Sequence, residues 1–320
     1  MHPGTFIHAP PHRVAVAEVL RLGQGGPERA RIAVVGCGGA GCNILAQVPP
    51  DLGITRVAAN ETVHRSMAGV EAKLILPSEG LAGVAAIDES LVRQLTSADE
   101  KAIAGTILNH DLVVPIAGLG GDFGGPAAAL VGRVTRVLGE SSLAIVALPF
   151  SAEGLHRRAL AEQSLDLLSK KVDGVLAFPN DELLRLAPQL PLLRAFQVLG
   201  TIMVRPLTDL ARASTRTDIG TLRDMLRSGR RWRFGAGEGE GKHRAFAALE
   251  EAFSSPWFPG RAEVIERVIA IASAAAFDET LAGEVTHELQ LTVPHARILF
   301  GGYADGALGE RMRLSVLAGW

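Results

Sequence analysis

From Arg31 onward, short apolar runs alternate with segments whose apolar residues recur at helical spacing. Five of these runs have the length and composition of buried strands: RIAVVG (31–36), ITRVAAN (54–60), DLVVPIAG (111–118), LAIVALPF (143–150) and DGVLAF (173–178). Buried strands separated by helices predict a parallel sheet covered by helices on both faces, as in Rossmann-like α/β domains. Pro115 cannot donate a ladder hydrogen bond, so it predicts a local bulge in the third of these strands.

The second half of the chain has a different pattern. A long helical stretch runs from Pro191 to Ala213, where Gly200 and Pro206 predict a kink or a break. Strand and helix patterns follow it, and the last two strands, 296–306 and 311–320, are close enough in sequence to predict an antiparallel pair. The predicted organisation is an N-terminal extension read as a short helix or tail (1–30), a Rossmann-like domain (31–190), a central helix (191–213) and a smaller α+β domain (214–320).

Composition narrows the class of protein. Thirty-two basic and 34 acidic residues give a net charge of −2, which excludes the basic surface expected of a nucleic-acid-binding protein. The apolar runs are too short to span a membrane, and the N-terminus lacks the pattern of a secretion signal. Cys37 and Cys42 share one glycine-rich loop, where reduced thiols are expected rather than a disulfide or a zinc site. These features predict a cytoplasmic globular protein without a transmembrane segment.

The segment from Gly36 to Gly41 contains four glycines, follows a strand and precedes a helix expected to begin near Cys42. Glycines let the backbone approach an anion, and a helix N-terminus offers free N–H groups to it. The segment also fits G-x-G-x-x-G, and Glu61 lies 20 residues beyond Gly41 where an acid can accept a ribose hydroxyl. Taken alone, the loop favours an NAD-binding oxidoreductase, with a purely structural turn as the minority interpretation.

A second glycine-rich turn, GLGGDFGGP (118–126), follows the third strand, and a dehydrogenase has no need of one. Further motifs follow in order: PFSAEGLHRR (149–158), FPNDELL (178–184), GAGEGEGKHRAFAALEEAFSSPW (235–257) and PHARILFGGYADGALGERMRLSVLAGW (294–320). Together with VVGCGGAGCN (34–43), they resemble the FtsZ branch of the tubulin superfamily along nearly the whole chain from residue 31. The sequence is identified by this resemblance as a diverged bacterial FtsZ-like protein with the FtsZ/tubulin fold.

The resemblance implies that the domain 31–190 binds GTP or GDP, with Mg²⁺. The nucleotide-binding residues that it implies are Gly38, Gly39, Gly41, Asn43, Gly120, Gly121, Gly124, Gly125, Glu153, Arg157, Asn180 and Phe196. In that family the residues matching Glu153 and Arg157 lie near the ribose and phosphates, the asparagine matching Asn180 helps to hold guanine, and the aromatic matching Phe196 stacks on the base. Two alternatives stay open: Asn180 caps the helix that follows it, and Phe196 belongs to the core.

Several positions depart from the family's nucleotide site. Phe123 and Gly125 replace two hydroxyl residues of its signature loop, and Asn60, Glu61 and Thr62 replace its N-T-D at the end of the second strand. Asp122 replaces a glycine and adds a negative charge beside the phosphates; two unit charges about 4 Å apart repel by about 4 kcal/mol at an effective dielectric of about 20. Pro126 has no N–H to donate to a phosphate. Gly200 stands where the family has the aspartate that gives it guanine selectivity.

The hydrolytic segment departs further. In the family, a loop that opens the second domain delivers two acids to the nucleotide of the neighbouring subunit, where they polarise the attacking water. The matching segment here, STRTDIGTLRDML (214–226), keeps one acid, Asp218, and has Thr221 at the position of the other. Arg216 stands at an asparagine, and Asp224 is available only if the register slips. Asp218 is the catalytic candidate, and capping of the following helix explains it equally well.

The first hypothesis is therefore a cytoskeletal guanine-nucleotide-binding protein that assembles head to tail with itself into filaments, with weak or absent GTP hydrolysis. The second is a scaffold that assembles without nucleotide, and an NAD-binding oxidoreductase is a distant third. The sequence ends without the disordered linker and terminal peptide of the family. That ending favours a specialised role in division or membrane remodelling, with a membrane-associated partner other than the ordinary division-ring adaptors.

Overall fold

The computed structural model describes residues 18–23, 28–81, 84, 94–229, 231–258 and 265–319. Within these ranges the strands form one mixed sheet. Their bounds are β1 Val19–Arg21, β2 Ile32–Cys37, β3 Thr55–Asn60, β4 Ala72–Ile75, β5 Leu112–Gly118, β6 Ser141–Leu148, β7 Gly174–Pro179, β8 Arg231–Gly239, β9 Arg267–Ala274, β10 Arg297–Ala304 and β11 Met312–Gly319.

Helices pack on both faces of this sheet. Their bounds are α1 Gly38–Leu45, α2 Ser78–Leu81, α3 Ala98–Ile107, α4 Gly124–Leu138, α5 Leu155–Lys171, α6 Asp181–Leu186, α7 Leu192–Ala213, α8 Ile219–Gly229, α9 Arg244–Phe253 and α10 Glu279–Thr292. None of the helices in the described ranges combines the length and the apolar character that crossing a membrane requires.

The strand order is β1-β10-β9-β11-β8-β7-β6-β5-β2-β3-β4. Neighbouring strands are parallel except at β11, which runs antiparallel to both β8 and β9. The two halves of the sheet join where β7 pairs with β8 over two registered pairs, Val175 with Arg231 and Leu176 with Trp232. The predicted parallel sheet between helices is confirmed, and the domain boundaries drawn from the sequence stay a prediction.

The predicted antiparallel pairing of the last two strands is wrong. β10 pairs in parallel with β9, and β11 lies on the other side of β9. The connection between them, residues 305–311, contains a short 3₁₀ turn and is longer than a hairpin loop. It therefore allows the chain to cross β9 and enter the sheet between β8 and β9.

Two backbone expectations also fail. Pro115 pairs with Val35, and the register between β5 and β6 is the same before it (Val113 with Ser142) as after it (Ile116 with Ile145), so no residue is inserted and there is no bulge. Helix α7 is continuous through Gly200 and Pro206, so the chain does not break there, while the kink stays a prediction. In the extension 1–30, residues 19–21 form an edge strand parallel to β10 rather than a helix, while residues 1–17 and 24–27 lie outside the described ranges.

Successive residues of the central strands point to opposite faces and so supply two cores. On one face, Val34 and Ile116 pack with α1, α7 and α8. This cluster also contains Ile269 and Leu299 from the C-terminal strands, so α7 packs against both halves of the sheet. On the other face, Val35 and the central strands pack with α3, α4 and α5.

A buried ion pair ties α4 to α3. The Nε of Arg133 donates to Oε1 of Glu100 at 2.6 Å, and both side chains are almost fully buried. Burial raises the pKa of the Glu100 carboxyl, but the backbone N–H groups of Ser97 and Thr96 and the Arg133 guanidinium outweigh it and hold that pKa below its usual value. Because α4 carries the second glycine-rich turn at its start, this pair contributes to the position of that turn.

We predict that Glu100→Gln lowers the free energy of unfolding by about 3 kcal/mol at pH 7, since it removes the buried carboxylate that the Arg133 guanidinium contacts. A carboxylate with a lowered folded-state pKa stabilises above its unfolded pKa and loses that contribution on acidification. The difference between variant and parent should therefore shrink as the pH falls below the 4.5 of a free glutamate. Urea denaturation at several pH values measures it.

Glu71→Gln is the matched control, because it breaks an ion pair with Arg56 in which the Glu71 side chain is 48% exposed. Exposed pairs contribute at most about 1 kcal/mol. Equal losses in the two variants would contradict the structural role given to the buried pair.

Candidate functional site

A cavity of about 780 Å³ opens at the carboxyl ends of the parallel strands. Its wall contains the last residues of β2, β3 and β5, which are Cys37, Asn60 and Gly118, and the residues Pro149 and Asn180 that follow β6 and β7. Because β2 lies between β3 and β5, the cavity is at the point where the strand order reverses. This is the usual ligand-binding position in an open α/β sheet, and the volume suits a small molecule.

The first glycine-rich segment forms the start of α1 rather than a turn before it. Gly38 has φ +73, a left-handed conformation that favours glycine, and the helix begins there instead of near Cys42. A Cβ on Gly41 would lie 2.2 Å from the carbonyl oxygen of Ile116, so only glycine lets α1 pack this closely on β5. The first turn of α1 contains no acidic residue, and its exposed end, Gly39 and Ala40, lines the cavity. The helix N-terminus can therefore receive an anion.

The second glycine-rich turn lies against the first. A Cβ on Gly38 would be 3.3 Å from the Cα of Gly124, where α4 begins. Gly120 has φ +94, and a Cβ there would be 2.8 Å from the carbonyl oxygen of Arg157. Pro126 is in the first turn of α4, so its missing N–H breaks no helical hydrogen bond but removes one donor from the helix end. Asp122 is exposed and lines the cavity, and among the described residues it has no ion-pair partner.

Glu153 and Arg157 form the side of the cavity that follows β6. Oε1 of Glu153 accepts a hydrogen bond from the backbone N–H of Phe150 at 2.8 Å, and its Oε2 accepts one from Nη1 of Arg157 at 2.7 Å. The Arg157 side chain is 57% exposed. Glu153 thus positions a guanidinium that still has donors available for an anionic ligand.

Asn180 follows β7 and is buried, and its Oδ1 is a buried acceptor without a hydrogen-bond partner in the described structure. Its side chain does not cap α6. The neighbouring Asp181 does not point to the helix end either, since it accepts hydrogen bonds from the backbone N–H and the hydroxyl of Ser151. The capping interpretation of Asn180 is therefore wrong, and an acceptor in the cavity wall is left for a ligand N–H.

Phe196 is 45% exposed at the cavity, with its ring edge-to-face with Phe150 at 5.7 Å, so it is not a core residue. One turn further along α7, Gly200 leaves a space that the Gln47 side chain occupies. Gln47 follows α1 and lines the same cavity. The wall made by α1 and α7 thus offers an aromatic face and amide groups.

The structure brings most of the predicted nucleotide-binding residues together. Those that line the cavity are Gly38, Gly39, Asn43, Gly121, Gly124, Glu153, Arg157, Asn180 and Phe196. Gly41, Gly120 and Gly125 lie behind the wall, where they permit close backbone or side-chain packing. The sequence interpretation missed Asn60, Gln47 and Gln197. Gln47 is four residues beyond Asn43, and that helical spacing was the available signal.

Asp218 is far from this cavity. Its Oδ2 accepts hydrogen bonds from the N–H of Thr215 at 2.7 Å, the hydroxyl of Thr215 at 2.8 Å and the N–H of Gly23 at 2.9 Å. Arg216 joins the same segment to Asp111, directly before β5, with 3.4 Å between Nε and Oδ2. The segment therefore lies at the amino end of β5 and the cavity at its carboxyl end. Within one molecule Asp218 acts as a cap; its catalytic role stays a prediction.

The cysteines have no role in the cavity's chemistry. Burial raises the pKa of the Cys42 thiol to about 11 and that of Cys37 higher still, so both remain protonated at neutral pH. Cys42 Sγ donates to the carbonyl oxygen of Gly36 at 3.2 Å. Over the described ranges, no group of three or more His, Cys, Asp or Glu side chains is placed to hold a metal ion.

The cavity is suited to a phosphate-bearing ligand with a flat ring. The starts of α1 and α4 and the Arg157 guanidinium can meet the phosphates, and Phe196 and Oδ1 of Asn180 can meet the rest of the ligand. The profile of the Tubulin/FtsZ family, GTPase domain, matches residues 31–188. The cell division protein FtsZ 1 of Thermococcus kodakarensis is 30% identical over 300 residues, which cover 89% of this chain and 79% of that protein. The chain belongs to the Tubulin/FtsZ family.

Solved structures share the fold. The empty FtsZ dimer of M. jannaschii superposes with a TM-score of 0.75 at 24% identity, over 91% of this chain and 88% of that one. CetZ2 of Haloferax volcanii, a GTPγS-bound protofilament, gives a TM-score of 0.69 at 16% identity, over 90% and 92% of the two chains. These proteins are archaeal, so the expectation of a bacterial FtsZ is not supported. The family also argues against the NAD hypothesis, and Glu61 accepts a hydrogen bond from Ser78 outside the cavity.

We predict that Gly41→Ala lowers the free energy of unfolding by about 1–3 kcal/mol, because the new methyl group would overlap the Ile116 carbonyl and push α1 away from β5. Gly39→Ala is the matched control, since no atom lies within 4 Å of the added Cβ. Its stability should stay within about 0.5 kcal/mol of the parent. Chemical denaturation compares the two, and similar values would contradict the close packing of α1.

Proposed function

We propose that this protein binds a guanine nucleotide in the cavity and assembles head to tail into cytoskeletal filaments, with weak or absent GTP hydrolysis. The observation that carries the proposal is that the two glycine-rich helix starts pack against each other in the wall of one cavity. The same wall contains the unpartnered Oδ1 of Asn180. The family match to a GTPase domain supports guanine as the base. Division or membrane remodelling, with a membrane-associated partner, stays the process predicted from the sequence.

The residues present fit a nucleotide. The start of α1 would receive phosphate oxygens, and the exposed Arg157 guanidinium would add a positive charge beside them. Phe196 offers a ring face for the base, and Oδ1 of Asn180 offers an acceptor for another donor group of the nucleotide. Mg²⁺, when bound, would neutralise phosphate charge, and Asp122, a cavity carboxylate with no ion-pair partner among the described residues, would help to hold it.

Head-to-tail assembly is supported by the polarity of the sheet. The cavity is at the carboxyl end of β5 and the Asp218 segment at its amino end, so the two are separated by roughly 20 Å, the length of a seven-residue strand. A second copy stacked along the strand direction would present its Asp218 segment to the cavity of the first. Such a contact is heterologous and does not close, so it continues into a filament. CetZ2 of Haloferax volcanii, which shares the fold, has been solved as a GTPγS-bound protofilament.

Weak hydrolysis is supported by the hydrogen bonds that Asp218, the one acid retained in the hydrolytic segment, already makes. The Oδ2 of Asp218 already accepts three hydrogen bonds within its own chain. Arg216 is likewise engaged, by Glu28 at 2.9 Å and by Asp111. Thr221, on α8, supplies no carboxylate. A filament contact would then bring few groups able to polarise a water.

A nucleotide-independent scaffold is the second candidate. The free carboxylate of Asp122 in the cavity wall and the missing donor of Pro126 favour it, because both weaken phosphate binding.

Titration with a ribose-labelled fluorescent GTP, followed by sedimentation with and without the nucleotide, separates the two candidates. We predict saturable binding that requires Mg²⁺, and nucleotide-dependent pelleting.

Asp122→Asn should bind GTP about tenfold more tightly than the parent in EDTA and depend less on Mg²⁺, because the repulsion that Mg²⁺ screens is gone. Pelleting without any binding would establish the scaffold, and a protein that neither binds nor pellets would refute the proposal.

Hydrolysis is tested by restoring the missing acid. Thr221→Asp should raise the rate of GTP turnover in the pelleted polymer by about a hundredfold, the lower end of what a positioned acid–base group contributes. Thr221→Asn has the same shape without the charge and should leave the slow rate of the parent unchanged. Rapid turnover by the parent, measured as released phosphate, would contradict the assignment of weak hydrolysis.

A further inference from the structure

The base end of the cavity has an unusual chemical character. The residues that α1 and α7 contribute to the wall carry no charge. The side chain nearest to Gly200 is that of Gln47: a Cβ on Gly200 would lie 2.1 Å from its Nε2 and 2.8 Å from its Cδ. The amide of Gln47 therefore fills the position that any side chain at residue 200 would need.

Gln47 is also held in place. Its Oε1 lies 3.1 Å from the Thr201 hydroxyl, whose single proton is shared with the Gln197 carbonyl at the same distance. The Gln47 side chain is half-buried in the cavity wall. An amide carbonyl has two lone pairs, so one acceptor position is left, and the NH₂ group has two donors. Fixed beside an exposed aromatic ring, these groups are placed to meet the edge of a base whose face lies on Phe196.

We infer that Gln47 is the residue that reads the base, and that it recognises the 6-oxo and N1–H groups that guanine shares with hypoxanthine. The inference rests on the proposed function. An amide can accept from N1–H and donate to O6 at the same time, in a bidentate pair. The neighbouring 2-amino group, which guanine has and hypoxanthine lacks, is a second donor. A carboxylate can accept from both N1–H and the 2-amino group, whereas an amide has a single acceptor atom.

Two substitutions follow from this geometry. Gln47→Ala removes both hydrogen bonds between the amide and the base. It should weaken the binding of GDP and of IDP by the same factor, about tenfold each, without changing the ratio of their affinities. Gln47→Glu has nearly the same shape and places a carboxylate at the base edge. It should raise the preference for GDP over IDP about tenfold relative to the parent, because only guanine offers two donors to it.

Gln197→Glu is the matched control for charge. Gln197 lines the same cavity from α7, and its Oε1 accepts from Nη1 of Arg194 at 3.1 Å rather than from a group beside Gly200. The control should leave the GDP-to-IDP ratio within twofold of the parent, whatever it does to either affinity. Thermal unfolding without nucleotide shows whether each variant is folded.

The experiment measures dissociation constants of GDP and IDP by displacement of a ribose-labelled fluorescent GDP. Equal losses in Gln47→Ala and a raised ratio in Gln47→Glu alone would support the inference. The inference would be overturned by Gln47→Ala binding both nucleotides within twofold of the parent, by an unchanged ratio in Gln47→Glu, or by an equal rise in the control. A parent protein that binds neither nucleotide would instead refute the proposed function, and the inference with it.

Discussion

Backbone contact between α1 and β5 is the constraint on which the site depends. Gly41 brings the helix so close to the strand that a methyl group would meet the Ile116 carbonyl, and at Gly38 an added Cβ would lie 3.3 Å from the Cα of Gly124 at the start of α4. Because neither helix start has a side chain at these contacts, two sets of backbone N–H groups face one cavity. The anion binding that we propose for the cavity rests first on this packing, and the exposed Arg157 guanidinium adds a positive charge to it.

The polar groups around the cavity differ in whether they are already satisfied. Glu153 is paired with Arg157, and Asp181 with Ser151, so these carboxylates organise the wall. Oδ1 of Asn180 is buried and unpartnered, an arrangement that costs free energy unless a ligand donor completes it. The acid at the opposite edge, Asp218, is satisfied within its own chain. This contrast supports a protein suited to binding more than to turnover.

The sheet also gives the molecule a direction. The cavity is at the carboxyl ends of the parallel strands, and the segment containing Asp218 is at their amino ends. Helix α7 packs against both halves of the sheet, so the carboxyl-edge cavity and the C-terminal strands share one continuous core.

The sequence by itself determined the alternation of strands and helices and the parallel sheet, because these follow from local hydrophobic periodicity. It also predicted nine of the residues that line the cavity, because they belong to motifs that are continuous in the chain and resemble those of a known family. It did not determine the partner of β11, the regular register at Pro115, or the Gln47 amide in the space at Gly200. Those features depend on which segments, distant in the chain, come to lie side by side. Only the tertiary structure decided them. The sequence shows that residue 200 has no side chain, but only the fold shows which neighbouring side chain occupies that space.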